Sequence, residues 1–341
     1  MLSPRRARSL RLAAPLLAML LALPLALGGA ARASDVTGIS GDPGEPFTGI
    51  DGLIHLTSPV AVPGRHGYYY IGSDFDTACA FGAVLQNAMD GMARLANIIA
   101  KSGRHVVWTI APNKSVVDRK QLPQPLPQNV CAKRGMAIQS QLLDHFHDPH
   151  YVPMRKALTK VPQAYWRTDS HWNTVGTSIL AEQVAGKLST KVAGAQRYKS
   201  TKRTHRGDLS YYVPGKGAET GPARVPDNGV VTKPVDGSPA YDPSLQSVYT
   251  DLSWASKPKA KTYPGRTLLL GDSFTYVSFE AMSNLFRKGR FIWTGTESND
   301  AVIAAIKESD TVVLSVVQRF APITPLINPD FQGQVEAALG S

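Results

Sequence analysis

The sequence predicts an α/β protein built on a mostly parallel sheet, and three observations lead to that class. Short continuous apolar runs have the length and composition of strands buried on both faces: "HVVWTIAP" (105–112), "RTLLLG" (266–271), "RFIWTG" (290–295) and "DTVVLSVV" (310–317). Segments with apolar residues three and four positions apart separate them, as helices would. After residue 262 the two kinds alternate without interruption, the rhythm of parallel strands joined through covering helices. In such sheets, sites form beyond the carboxyl ends of the strands.

Taken in chain order, the first 33 of the 341 residues have the layout of a secretory signal peptide. Arg5, Arg6, Arg8 and Arg11 form a basic head, an apolar run extends from Leu12 to Leu27, and Ala31-Arg32-Ala33 supplies a small-residue cleavage site. The run contains Pro15 and Pro24 and falls short of the roughly 20 residues of a membrane span. Cleavage is therefore the expectation and an uncleaved anchor the alternative. Residues 34–341 then form a single domain, long enough to bury a full core. Five arginines leave with the signal, so the formal charge of +11 falls to +6. A mildly basic chain suits an anionic polymer or a cell surface; the charge is too weak to imply nucleic acid, no RNA- or DNA-binding motif accompanies it, and no nucleic-acid partner is expected.

Residues 34–66 read as an extended lead-in rich in Gly, Pro and Asp, with "GIDGLIHL" (49–56) as a turn and short strand. From Ala80 to Ile99 the apolar residues Val84, Leu85, Ala88, Met92, Leu95 and Ile99 have helical spacing, and Gly103 is the stop. "HVVWTIAP" follows as a strand, "KQLPQPLPQNVCAKRG" as a proline-rich loop, and a second helix is expected over 136–146. "AYWRT" (164–168) is a strand candidate and "NTVGTSILAEQVAGKL" (173–188) a helix. Residues 190–262 change character; Gly, Pro, Lys and Thr dominate, and an irregular, partly β insertion is expected. "SFTYVSFEAMSNLFRKG" (273–289) then reads as one helix with a glycine stop, and "NDAVIAAIKES" (299–309) as another. The two cysteines, Cys79 and Cys131, are expected to form one disulfide in an exported chain, with two buried free thiols as the alternative.

Two stretches carry chemistry. In "LLLGDSFTY" (268–276), Gly271 permits a sharp turn after a buried strand and Ser273 stands where a helix begins. A serine there can project its hydroxyl above the sheet, with its own amide as an oxyanion donor. Its rival reading is a cap, with Asp272 or Ser273 accepting from first-turn amides. A serine nucleophile needs a base and a group to orient that base, and "TDSHWN" (168–173) offers both. If residues 164–171 are extended, Tyr165, Arg167, Asp169 and His171 share one face, and Asp169 can hold one nitrogen of His171 while the other faces a hydroxyl. Capping by Asp169, Ser170, Asn173 or Thr174 is again the rival. A metal site is a weak third reading, because two ligands lack further His/Cys spacing. No metal or cofactor is expected.

Together, "TDSHWN" and, about a hundred residues later, "LLLGDSF" resemble the SGNH-hydrolase-like domain of the alginate O-acetyltransferase (AlgJ/AlgX-like) family. "GIDGLIHL", "IAPNKSVV" (110–117), "RGDLS" (206–210) and "DTVVLSVVQRF" (310–320) match more loosely, and the resemblance spans about residues 48–320. It implies a three-layer sandwich in which Ser273 is the nucleophile, His171 the base and Asp169 its orienting acid, with the Asp-His pair preceding the serine. Arg319 and Tyr276 are candidate oxyanion or substrate neighbours. The chain departs from the family pattern at Leu53-Ile54-His55, where an aromatic pair is usual, and at Gln318-Arg319, where Glu-Arg is common.

The function so implied is an exported, periplasmic or cell-surface, serine-dependent O-acetyltransferase acting on a polysaccharide or glycoconjugate. Acetyl-CoA is not expected outside the cytoplasm, so the acetyl donor would be served by a membrane-bound O-acyltransferase partner. A carbohydrate acetylesterase with the same triad is the alternative, as is a non-catalytic polysaccharide-binding protein that has kept the fold.

Overall fold

Where the sequence runs apolar without alternation, the chain forms strands covered on both sides. The computed structural model describes residues 58–243 and 249–340. The stretch expected to be a signal peptide and "GIDGLIHL" lie outside the described residues.

The described chain opens with a small antiparallel pair, β1 (Ala61–Pro63) and β2 (Tyr69–Ile71). Two helices follow, α1 (Ser73–Cys79) and α2 (Phe81–Lys101), then β3 (His105–Ala111) and α3 (Lys114–Val117). Next come α4 (Asn129–His145), α5 (Arg155–Thr159), α6 (Thr174–Leu188) and α7 (Thr190–Ala195). Four strands come after these: β4 (Tyr198–His205), β5 (Glu219–Pro226), β6 (Val231–Pro234) and β7 (Asp251–Lys257). The chain closes with β8 (Tyr263–Gly271), α8 (Ser273–Val277), α9 (Phe279–Ser283), β9 (Phe286–Trp293), α10 (Asn299–Lys307), β10 (Thr311–Val317) and α11 (Pro329–Leu339).

The central sheet has six strands in the order β3-β10-β8-β9-β7-β6. The first four are mutually parallel, and β7 and β6 extend the sheet antiparallel. Composition follows position. All seven residues of β10 are buried, as expected for a parallel strand covered by helices on both faces, whereas β7 alternates, burying Leu252, Trp254 and Ser256 only. Leu314 pairs with Trp108 on one side and Leu270 on the other, which sets the register of the inner strands. The α2 stripe Leu85, Ala88, Met89, Met92, Leu95, Ala96 and Ile99 is buried, and the helix ends ahead of Gly103 at φ +84°. Cys79 of α1 and Cys131 of α4 form the expected disulfide, with Cα atoms 4.9 Å apart.

Several expectations change. The second helix begins at Asn129 rather than Met136; its first turns carry no apolar stripe but are held against α1 by the disulfide and by Gly135, which lies against the Ala78 carbonyl. "AYWRT" is not a strand: only a single antiparallel bridge, Tyr165 to Trp172, joins the two sides of a tight loop. The stretch from Ser273 forms two short helices. Ser278 interrupts them by donating its hydroxyl to the Phe274 carbonyl, and β9 takes Phe286 through Gly289 into the sheet, so Gly289 is no helix stop. The 190–262 stretch divides in two. The β4/β5 hairpin stands apart as a two-stranded sheet, but β6 and β7 belong to the central sheet.

Candidate active site

Three parallel strands end side by side, and the turns after them interlock. Gly271 closes β8; a Cβ there would sit 2.0 Å from Thr275 Oγ1 and 2.2 Å from the Ser315 carbonyl, so only glycine allows this turn. Asp272 caps α8, accepting from the Phe274 amide (2.9 Å) with one oxygen and from the amide of Val317 (2.6 Å), the last residue of β10, with the other. Ser273 follows, half-buried, as the first residue of α8. Past β10 and β3, the Gln318 amide donates to the Ala111 carbonyl, the Asn113 amide to Gln318 Oε1, and the Arg319 amide to Asn113 Oδ1.

The Asp-His loop is pinned over this edge. Asn173 accepts from the Val175 and Gly176 amides and so caps α6, which leaves Asp169 and His171 for other work. Asp169 is buried with four N–H groups around it. Its Oδ1 faces the His171 amide and Nδ1, both at 2.7 Å, and its Oδ2 faces His205 Nε2 (2.6 Å) and the Asp208 amide (3.1 Å). Asp208 accepts from the amide (2.7 Å) and hydroxyl (2.6 Å) of Ser170. From below, Lys114 Nζ donates to the main-chain carbonyls of Tyr69, Arg167 and Asp169 at 2.7–3.1 Å. Gly207 lets the "RGDLS" turn come close; a Cβ on it would lie 2.1 Å from the Thr168 carbonyl.

These contacts set the electrostatics. Burial works to raise the Asp169 pKa, but the charge and N–H groups of His171, with those of His205, outweigh it and hold the carboxyl well below its usual range. Burial opposes a charged His171, yet the adjacent Asp169 carboxylate, with Asp208 beyond, raises its pKa above the ordinary histidine value. Burial and the Asp169 charge push Asp208 up, and burial brings Lys114 down to about 8. With Nδ1 against a carboxylate, the ring proton sits on Nδ1 and Nε2 is the basic nitrogen. Nε2 is buried and has no hydrogen-bond partner among the described residues, Ser273 included. The His171 ring packs on Phe274, the residue after Ser273, with centroids 4.8 Å apart.

The other sequence-predicted residues fall differently. Arg319 is buried beside this set, its guanidinium 3.6 Å from Asp74 and 3.4 Å from Ser170 Oγ, stacked near the Phe274 and Phe320 rings. Tyr276 is fully buried, and its hydroxyl donates to the Asp242 carbonyl, so it is committed to the wall behind α8. Tyr165 is likewise buried, donating to the Pro112 carbonyl rather than flanking His171 on a strand face. Asp169, His171 and Asp208 lie close enough to share a cation, but both Asp169 oxygens and His171 Nδ1 are already engaged with one another or with N–H donors. Sequence reasoning did not single out His205, Asp208, Asn113 or Lys114; the signal was the loose "IAPNKSVV" and "RGDLS" stretches, which converge here, while nothing marked His205.

The chain belongs to the family described as SGNH hydrolase-like domain, acetyltransferase AlgX, whose family model matches residues 61–246. That span holds Asp169, His171, His205 and Asp208 and ends before Ser273. Over 180 residues the chain is 24% identical to a probable alginate O-acetylase AlgJ of Pseudomonas syringae pv. tomato; the alignment covers 48% of this chain and 43% of that protein, less than half of its length. The O-acetyltransferase domain of Pseudomonas putida AlgJ superposes with a TM-score of 0.47 at 17% identity, covering 82% of this chain and 99% of that one. A DHHW family protein from Eubacterium siraeum gives 0.51 at 13% identity, over 81% of this chain and 97% of that one. At 13% identity the likeness to the DHHW family protein is one of fold.

Proposed function

We propose that this chain is an exported O-acetyltransferase that passes an acetyl group through Ser273 to a hydroxyl of a polysaccharide. The observation that carries the reading is the Asp169–His171 pair, in which a buried carboxylate fixes the ring and leaves Nε2, among the described residues, without a partner at the strand edge where Ser273 opens α8. His171 Nε2 takes the Ser273 proton as Oγ attacks the acyl carbonyl of the donor, and the donor's leaving group departs with that proton. A sugar hydroxyl then attacks the Ser273 acetyl ester, giving its proton to Nε2, and Nε2 passes that proton to Ser273 Oγ as the ester bond breaks, which restores Ser273. Asp169 stabilises the imidazolium in each half, and the Ser273 amide serves the oxyanion. Family membership and the alginate-O-acetylase name of the relative support transfer to a polysaccharide. The export reading, with the family resemblance, assigns delivery of the donor to a membrane-bound O-acyltransferase. Among the described residues no helix is long and apolar enough to cross a membrane.

The test is a trapped acyl-enzyme: incubation with a serine-reactive sulfonyl fluoride, then mass spectrometry of the peptides. Label on Ser273, lost in Ser273→Ala, is the expected result; label elsewhere, or none, refutes the mechanism. Release of acetate from a chromogenic ester at a rate that no added oligosaccharide changes would favour the esterase reading.

A further inference from the structure

We infer that the cleft beside His171, walled by the β4/β5 hairpin and α9, is a binding site for a neutral pyranose segment. It has a volume of about 340 Å³ and reaches from Asp169 and His171 to Arg203, Tyr211, Tyr241 and Glu280. That places it at the small end of ligand clefts, which run from about 300 to 1,000 Å³. The assignment to the acetyl acceptor rests on the acyl-transfer reading; sugar binding itself does not.

Two features select a sugar. Tyr211 is 59% exposed at the rim, with the Arg206 guanidinium 4.3 Å from its ring centroid. A rigid aromatic with two side-chain torsions can lie against the C–H face of a pyranose at little entropic cost. Within the cleft, Arg203 and Glu280 form a two-pronged ion pair, Nη1 to Oε2 at 2.8 Å and Nη2 to Oε1 at 2.9 Å. Both side chains are about one-third exposed, so the pair keeps unused N–H groups and oxygen lone pairs facing the space. A hydroxyl donates and accepts at once, and vicinal hydroxyls match a fixed array offering both functions.

Charge selects a neutral ring over an acidic one. Arg203 is already neutralised by Glu280, and His171 and His205 both face the Asp169 carboxylate. The one lining cation with no carboxylate partner among the described residues is Arg206, which stands exposed at the mouth. A uronate carboxylate carried inside would lose water without gaining an unpaired cation, and such burial is costly.

The experiment measures binding to the full-length mature Ser273→Ala protein by calorimetry at 0.15 M salt. The probes are neutral tetrasaccharides (β-1,4-glucose, β-1,4-mannose, β-1,4-galactose, β-1,4-N-acetylglucosamine) and tetramannuronate and tetragalacturonate. At least one neutral probe is expected to bind at least about ten-fold more tightly than either uronate. Tyr211→Ala and Glu280→Gln are each expected to weaken that binding by about ten-fold or more, the scale of one lost contact to a charged or stacked group. Saturable binding of a uronate in preference to every neutral probe, binding of none, or indifference to both substitutions overturns the proposal. Neutral binding with no label on Ser273 would sink the acyl-enzyme and leave this site standing; the converse would sink only the site.

Discussion

Asp169→Asn keeps the shape of the side chain and removes its charge, which makes it the sharpest probe of this site. The carboxylate now faces four N–H groups at 2.6–3.1 Å. An amide replaces one of the two accepting oxygens with an NH₂, and that NH₂ must face either the His171 amide and Nδ1 or His205 Nε2 and the Asp208 amide. In the first arrangement His171 keeps its ring contact only by moving its proton to Nε2, where it can no longer receive one from Ser273. In the second His205 adapts by switching tautomer, but the negative charge that stabilises the imidazolium is still gone. Either way kcat for hydrolysis of a chromogenic acetyl ester is expected to fall by roughly 10³–10⁴, the scale seen when a triad aspartate loses its charge. Losing one or two charge-assisted hydrogen bonds in a buried site costs about 2–4 kcal/mol of stability near neutral pH. The pH dependence carries the same signature. A raised His171 pKa contributes stability fully present below about pH 6.5 and lost as pH rises through the folded value, whereas a lowered Asp169 pKa contributes stability above about pH 4 that is lost as pH falls through its folded value. In the proposed mechanism the neutral ring is the base, so kcat/KM in the native protein should rise with pH at a midpoint above the ordinary histidine value, and that midpoint should drop in Asp169→Asn. A variant that keeps more than about a tenth of native kcat, a loss of under 1.4 kcal/mol, or whose midpoint stays put, would refute the pairing argument.

Lys114→Met removes the ammonium that ties the Tyr69, Arg167 and Asp169 carbonyls together, and kcat should fall while the fold persists. Because burial lowers the Lys114 pKa from 10.5 to about 8, the unfolded chain binds more protons between those values. Native stability from this group should therefore rise with pH across that window, by on the order of 3 kcal/mol, and urea titrations of the variant at pH 8 and 10 should lack that rise. Reducing the Cys79–Cys131 bridge opens a 52-residue separation, and loop-closure entropy puts the cost at about 4 kcal/mol, read as a lower Tm under reductant. Gly207→Ala drives a methyl into the Thr168 carbonyl at 2.1 Å; ester hydrolysis should suffer well before far-UV circular dichroism changes, and unaltered activity would mean the "RGDLS" turn does not hold the Asp169 loop.

The inner sheet was legible because its residues satisfy one requirement only. "TVVLSVV" and "LLLG" are apolar throughout, and a strand covered on both faces demands nothing more than that. "AYWRT" misled for the same reason: its aromatic content suits a strand, but Tyr165 and Trp172 use it to close a loop, with the Asn173 amide donating to the Ala164 carbonyl. Local pattern cannot distinguish those outcomes, since the partner of each edge lies elsewhere in the chain. The split of α8 from α9 was hidden too, because it depends on Ser278 bonding both the Phe274 carbonyl and the Trp172 indole.

By itself the sequence determined the α/β class, the strand that presents Ser273, the glycine that turns it, and the Asp169–His171 pair. These are short-range features, and residues two to five apart set them through steric and hydrogen-bonding limits. The tertiary structure alone decided what surrounds the pair. It brought His205 to the second Asp169 oxygen from 36 positions away, Lys114 beneath the loop from 55, and Arg203 against Glu280 from 77. Such contacts form only once the helices and strands between them have packed, so no local spacing could have encoded them.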